Sequence, residues 1–354
     1  MKDNQPNIVA IGNAPSSGST FLADLLDSSS EAVCGPELNL FSNQSIYAYD
    51  TYRGAPLKSS RTKSVYMMTD KLYLKHLVKY GFSGEEFAQM ARQCDSLREL
   101  INTFGLKYLA LRGKTLNGTV FEKTPQNIGC ASSFLDVFNK GYFIHVLRNP
   151  VYVYSSLRKR GIPRYIALAT WLIDLASIED LRSHPRMIEI RYEDLVEDPF
   201  NISSDIIYRV GGKRVDPEAL KKAYETNSYR KFHSTKIDSW SSNVHGKIGN
   251  ANKRRISNEE LQDIVLLKKY KVSREYSKAF GVPEYSFAEL LERTGYDKEL
   301  EELLSSLPEA ISEKKIRPCT KANMHLVRKF LRDFKHRDVS WANARGYFTP
   351  LERV

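Results

Sequence analysis

The sequence predicts a three-layer α/β fold, with a largely parallel central sheet covered by helices on both faces and a mainly helical C-terminal extension. Short apolar runs over residues 7–12 and 141–147 have the continuous hydrophobicity of strands buried on both faces. Each is followed by a turn and a helical stretch, the repeating unit of a parallel sheet. The 354 residues, 42% hydrophobic and 27% charged, suffice for a full-sized core with an added lobe.

Taken in order, residues 7–12 form the first strand, and the Gly/Ser/Pro turn after it leads into an amphipathic helix over 19–26. Ala32-Val33-Cys34 is a candidate second strand, and Thr119-Val120-Phe121 another. After the strand at 141–147, Asn149-Pro150 opens a helix at Val151, because proline suits the first helical turn. Leu168, Trp171, Leu172, Leu175 and Ile178 recur at helical spacing and predict a helix packed on the sheet. Residues 187–190 supply a further strand. Beyond Gly281-Val282-Pro283 the pattern breaks into short helical pieces at 287–291 and 298–304, then a basic tail. The expected organisation is a domain over 1–283 and a helical, basic extension over 284–354. Ligands of such sheets bind beyond the carboxyl ends of the strands, so the chemistry belongs to the loops there.

The formal charge is +11, and residues 313–354 hold eleven Lys/Arg against four Asp/Glu. Such a tail is ordinarily a solvated face, and it contains no nucleic-acid reading motif, so no nucleic-acid partner is expected. Cys34, Cys94, Cys130 and Cys319 are scattered, without C-x-x-C or zinc-ligand spacing, and are expected as buried thiols. The first apolar stretch, residues 8–11, is too short for a signal sequence or membrane span, and the chain is expected to be cytoplasmic. Nothing in the sequence sets an oligomeric state.

Two segments carry chemistry. Pro15-Ser16-Ser17-Gly18-Ser19-Thr20 lies between the first strand and its helix, where a Gly/Ser turn exposes main-chain N–H groups at a positive helix end suited to phosphate. It is not a nucleotide-kinase loop of the G-x-x-x-x-G-K-[ST] type, because Ser19 rather than lysine follows Gly18. The second segment is Leu147-Arg148-Asn149-Pro150, again directly after a strand. Arg148 offers a planar fork for a phosphate, and Ser156 lies two helical turns beyond it.

Together these segments resemble the family of sulfotransferases that use 3′-phosphoadenosine-5′-phosphosulfate (PAPS). Residues 15–20 are similar to the family's P-[KR]-S-G-[ST]-[ST] loop except at Ser16, and Arg148-Asn149-Pro150 with Ser156 matches its R-[ND]-P…S signature. Arg191-Tyr192-Glu193-Asp194-Leu195 looks like its R-Y-E-D-L segment. His245-Gly246-Lys247-Ile248-Gly249-Asn250, with Lys253 and Arg254, looks like its glycine-rich basic loop. Glu122-Lys123-Thr124-Pro125 and Pro36-Glu37 are similar to segments of several branches.

The resemblance implies a P-loop-like sheet and assigns Ser16, Ser17, Gly18, Ser19, Thr20 and Phe21 to the phosphosulfate. It assigns Arg148 and Ser156 to the 3′-phosphate, and Tyr192, Lys247, Gly249, Asn250, Lys253 and Arg254 to the rest of the donor site. It implies a small-molecule or carbohydrate acceptor, sulfated on a hydroxyl, less readily an amine, of a carbohydrate, lipid or small metabolite.

In-line sulfuryl transfer needs an aligned acceptor, a base for its proton and positive charge near the leaving oxygen. A sulfuryl group carries less charge than a phosphoryl group, so cationic side chains and N–H groups suffice and no metal is expected. Glu37 is the candidate base, with His245 and Glu122 as alternatives. Ser16 replaces a cation whose loss costs about 3–4 kcal/mol of transition-state stabilisation, and Lys123 is the candidate substitute. A non-catalytic nucleotide-binding relative and a nucleotide kinase of related fold remain the other readings.

Overall fold

Alternation of side chains along β1 (Asn7–Gly12) decides how the sheet is covered. Ile8 and Ala10 enter one buried cluster, while Val9 and Ile11 enter another on the opposite face. The structure, a computed structural model, describes residues 5–42, 46–47, 49, 77–226, 256–305 and 350–354. In it, β1 is the centre of a parallel five-stranded sheet with β2 (Ala32–Cys34), β3 (Thr119–Lys123), β4 (Tyr142–Leu147) and β5 (Met187–Arg191), in the order β2-β3-β1-β4-β5. The chain reverses its direction of travel across the sheet around β1. The carboxyl ends of β3, β1 and β4 therefore lie side by side at the switch point, where such sheets bind ligands.

The helices follow as α1 (Ser19–Asp27), α2 (Gly84–Gln93), α3 (Leu97–Leu111), α4 (Ala131–Val137), α5 (Pro150–Lys159) and α6 (Arg164–Ala176). After β5 come α7 (Tyr192–Glu197), α8 (Pro199–Gly211), α9 (Pro217–Glu225), α10 (Asn258–Leu267), α11 (Arg274–Phe280), α12 (Phe287–Thr294) and α13 (Tyr296–Leu304). Leu22, Leu25 and Leu26 of α1 and Ile206 and Ile207 of α8 cover one face of the sheet with Val9, Ile144 and Val146. On the other face, Phe143 and Leu147 meet residues of α3, α4, α5 and α6, including Phe104, Phe134, Val151 and Leu172.

Local chemistry sets the helix starts. Ser83, Ser257 and Ser286 close capping boxes with Glu86, Glu260 and Glu289, and Asn149 caps α5 through Val151 N with Pro150 in the first turn.

The predicted strands recur, with one extension. β3 runs two residues past Phe121 to include Glu122 and Lys123, which pair in register with Ala10 and Ile11. The apolar run ended at Phe121, yet both charges stay in the strand because side-chain partners at its end satisfy them. Packing is continuous across the expected boundary at Pro283. Phe287, Leu290, Tyr296 and Leu300 belong to the cluster that holds Phe143, and Trp171 meets Phe287 edge to face at 5.4 Å. The terminal strand β7 (Leu351–Arg353) returns to pair with β6 (Tyr270–Val272). Cys34, Cys94 and Cys130 are buried thiols. No helix among the described residues is long and apolar enough to cross a membrane.

The far end of α1 is fixed by a buried ion pair. Arg112 donates from both terminal nitrogens to the Asp27 carboxylate at 2.9 and 2.7 Å, with side chains 3% and 0% exposed. Removing one partner of such a pair strands the other charge in the interior. Arg112→Leu is therefore expected to destabilise the fold by about 3–5 kcal/mol in urea denaturation.

Candidate functional site

The loop between β1 and α1 supplies the frame of the site. Ser16 and Gly18 take positive φ angles of 75° and 96°, turning the chain tightly from the strand into the helix. α1 opens at Gly18 with no side-chain cap and no acidic residue in its first turn. The positive end of the helix is thus left for an anion to occupy. Glycine is required at position 18, since a Cβ there would stand 2.3 Å from Cδ2 of Tyr192.

Tyr192 is itself stacked. The guanidinium of Arg148 lies 4.3 Å from its ring centroid, and Arg148 Nη1 donates to the Ser16 carbonyl at 2.7 Å. Arg148 is only 7% exposed, and burial lowers its pKa from the ordinary value, so a charge held here gains from an incoming anion. Trp171 Nε1 donates to the Arg148 carbonyl at 2.9 Å and fixes the strand end. Gly18, Tyr192 and Arg148 therefore form one layered wall, built from the ends of β1, β5 and β4.

A second network holds this wall from behind. Glu193 accepts from Asn149 N at 3.3 Å and from the Tyr296 hydroxyl at 2.8 Å. Glu299 of α13 accepts from Arg191 and from Asn149 Nδ2, both at 2.8 Å. The R-Y-E-D-L segment thereby places Tyr192 at the site and commits Arg191 and Glu193 to positioning it.

On the other side of the loop, Lys123 is 2% exposed at the end of β3. Its Nζ donates to Glu37 Oε1 at 3.0 Å and to Thr20 Oγ1 at 3.3 Å, linking the loop after β2 to the first turn of α1. Glu37 is one-quarter exposed, open enough to meet a ligand. Its loop is clamped from below. Glu122 accepts from Leu38 N, Thr124 Oγ1 and Asn127 Nδ2, and Thr124 Oγ1 accepts from Asn39 N. Burial raises the Glu122 pKa even against those donors, and with its oxygens engaged by them Glu122 serves as a buttress rather than as the alternative base.

Of the residues predicted from sequence, the structure brings together Ser16, Gly18, Thr20, Glu37, Lys123, Arg148 and Tyr192. Ser156 sits partly exposed on α5. Phe21 is largely buried, its ring edge to face with Tyr224 and its N–H donating to Gly18 O, because position 21 falls on the buried stripe of α1. Ser17 and Ser19 are buried, and Ser17 Oγ has no hydrogen-bond partner among the described residues. His245, Lys247, Gly249, Asn250, Lys253 and Arg254 lie outside the described residues. Sequence reasoning missed Arg160, whose Nη1 donates to Ser16 Oγ at 3.1 Å. It also missed Glu299, whose partners Arg191 and Asn149 are remote in sequence.

A cavity of about 730 Å³ lies at the opposite end of the sheet, where residues 28–30 and 113–114 lead into β2 and β3. Its cations already serve α1: Arg112 pairs with Asp27, and Lys114 donates to the carbonyls of Asp27 and Ser29. Among the described residues, no group of three or more His, Cys, Asp or Glu is placed to hold a metal ion.

Gly18→Ala imposes both a disfavoured φ and overlap with Tyr192. It is expected to cost about 1–3 kcal/mol, read as a lowered melting temperature.

The model of the Sulfotransferase family matches residues 6–216, which include β1 through α8 and every described residue of the wall and the clamp except α13. None of the curated proteins matches the sequence. Solved structures with similarity include the sulfotransferase domain of the Synechococcus PCC 7002 olefin synthase, at 20% identity over 75% of this chain and 96% of that one, with a TM-score of 0.46. The sulfotransferase domain of the curacin biosynthetic pathway is similar at 19% identity over 74% and 97%, with a TM-score of 0.48. With its family model matched over more than half its length, the chain belongs to the Sulfotransferase family.

Proposed function

We propose that this protein transfers a sulfuryl group from PAPS to a hydroxyl, or less readily an amine, of a small-molecule or carbohydrate acceptor. The observation that carries the reading is the convergence of two features on one loop. An uncapped helix start is walled by Arg148 and Tyr192, and the Lys123–Glu37 pair stands at its other side.

The residues fit such a donor on physical grounds. The open N-terminus of α1 and the tight turn at Gly18 suit the 5′-phosphosulfate, and buried Arg148 suits the 3′-phosphate, with Ser156 on the helix it precedes. When bound, PAPS supplies the sulfuryl group and a leaving phosphate.

The chain's own residues supply the rest. Glu37 accepts the acceptor's proton as its oxygen or nitrogen attacks. Lys123 fixes the Glu37 carboxylate and joins it to Thr20, so base and donor loop keep one spacing. The Glu122–Thr124 clamp holds the main chain on the C-terminal side of Glu37. The light charge of a sulfuryl group leaves these cations sufficient, and chelators are expected to leave turnover unchanged.

The test follows release of the desulfated product, 3′-phosphoadenosine-5′-phosphate (PAP), from radiolabelled PAPS across a panel of alcohols, sugars and amines. The wild type is expected to release it with label appearing on an acceptor. Glu37→Gln should slow this by about 10²–10⁴-fold, with product affinity nearly unchanged. Full turnover by Glu37→Gln would remove Glu37 as the base. Binding without transfer to any acceptor would favour the non-catalytic reading that Ser16 suggests.

A further inference from the structure

The loop position that the sequence comparison leaves without a cation is Ser16, and the structure brings a guanidinium to it from an unexpected direction. We propose that Arg160, at the end of α5, supplies the missing positive charge to the 5′-phosphosulfate end of the donor. This rests on the donor-site reading given above.

Two arginines converge on Ser16. Arg148, before α5, holds its carbonyl at 2.7 Å, and Arg160, after α5, reaches its hydroxyl at 3.1 Å. The ten-residue helix α5 lies between them in sequence, and the fold brings a side chain from each of its ends to Ser16. Arg160 closes α5 with its main chain, whose N–H donates to the carbonyls of Ser156 and Leu157, while its side chain extends to Ser16.

The positive φ of Ser16 fixes the direction of its Cβ, and its hydroxyl meets Arg160. A serine here is short enough to let a guanidinium come in from α5. Ser16 stands two residues before Gly18, where α1 starts, so this contact puts Arg160 beside the loop that leads into it.

Lys123 is a weaker stand-in for the lost cation. Its ammonium is shared between Thr20 and the carboxylate of Glu37, which offsets its charge at the site. Arg160 is exposed and screened by water, so its effect grows when a bound donor excludes solvent. The division of labour follows: Lys123 positions the base, and Arg160 meets the anion.

The experiment compares calorimetric affinities of the full chain for PAP, adenosine 5′-phosphate and adenosine 3′-phosphate. Arg160→Ala is expected to weaken the two ligands that carry a 5′-phosphate about tenfold and to leave adenosine 3′-phosphate within about twofold. Arg148→Ala should show the mirror pattern. Ser16→Lys in the Arg160→Ala background should restore most of the PAP affinity, as should Arg160→Lys in place of alanine. Melting temperatures identify any variant that fails to fold. Equal weakening of all three ligands, or none, would overturn the assignment of Arg160 alone. A wild type that binds no PAP would remove the donor-site reading and this proposal with it.

Discussion

The burial of the Arg148 guanidinium is the constraint on which the rest of the site depends. A charge only 7% exposed needs partners, and the fold supplies them from several directions: the Ser16 carbonyl, the face of Tyr192 and, at the Arg148 main chain, the indole of Trp171. Those contacts tie the first loop to β4, to the segment after β5 and to α6. Because the guanidinium is costly to bury, each of these contacts offsets part of that cost. The network of Asn149, Arg191, Glu193, Tyr296 and Glu299 carries the connections on to α13.

Lys123 plays the matching part on the other side of the loop. A lysine buried at a strand end would be unfavourable alone, yet here it bridges Glu37 and Thr20 and makes one unit of two loops. Glu122 alternates with it along β3 and points to the opposite face of the strand, where it pins Leu38 and, with Thr124, Asn39. Two adjacent charged residues in a buried strand thus do separate work: one connects and the other supports.

Much of this was legible in the sequence because strand ends and their loops are local. The apolar runs at 7–12 and 141–147, the glycine at 18 and the arginine at 148 each announce themselves within a few residues. What was illegible depends on distance or on side-chain direction. Arg160 reads as one more charge on a solvated helix end, and only the fold shows it reaching Ser16. Glu299 reads as part of an acidic helix, and its bonds to Arg191 and Asn149 span more than a hundred residues. The resemblance assigned Phe21 to the donor loop, and helical periodicity sets its ring on the buried stripe of α1. The Gly281-Val282-Pro283 break marks a change of pattern, but Phe287 and Tyr296 carry the same core past it.

The central claim is that Arg148 and the loop after β1 form a site for a nucleotide carrying a 3′-phosphate. Calorimetric titration of the wild type and Arg148→Ala with PAP, and with ADP as the control lacking that phosphate, tests it most directly. The account predicts wild-type affinity on the order of micromolar for PAP, at least about tenfold weaker binding of ADP, and loss of that preference in Arg148→Ala. Equal affinity for the two nucleotides, or a preference that survives the substitution, would contradict it.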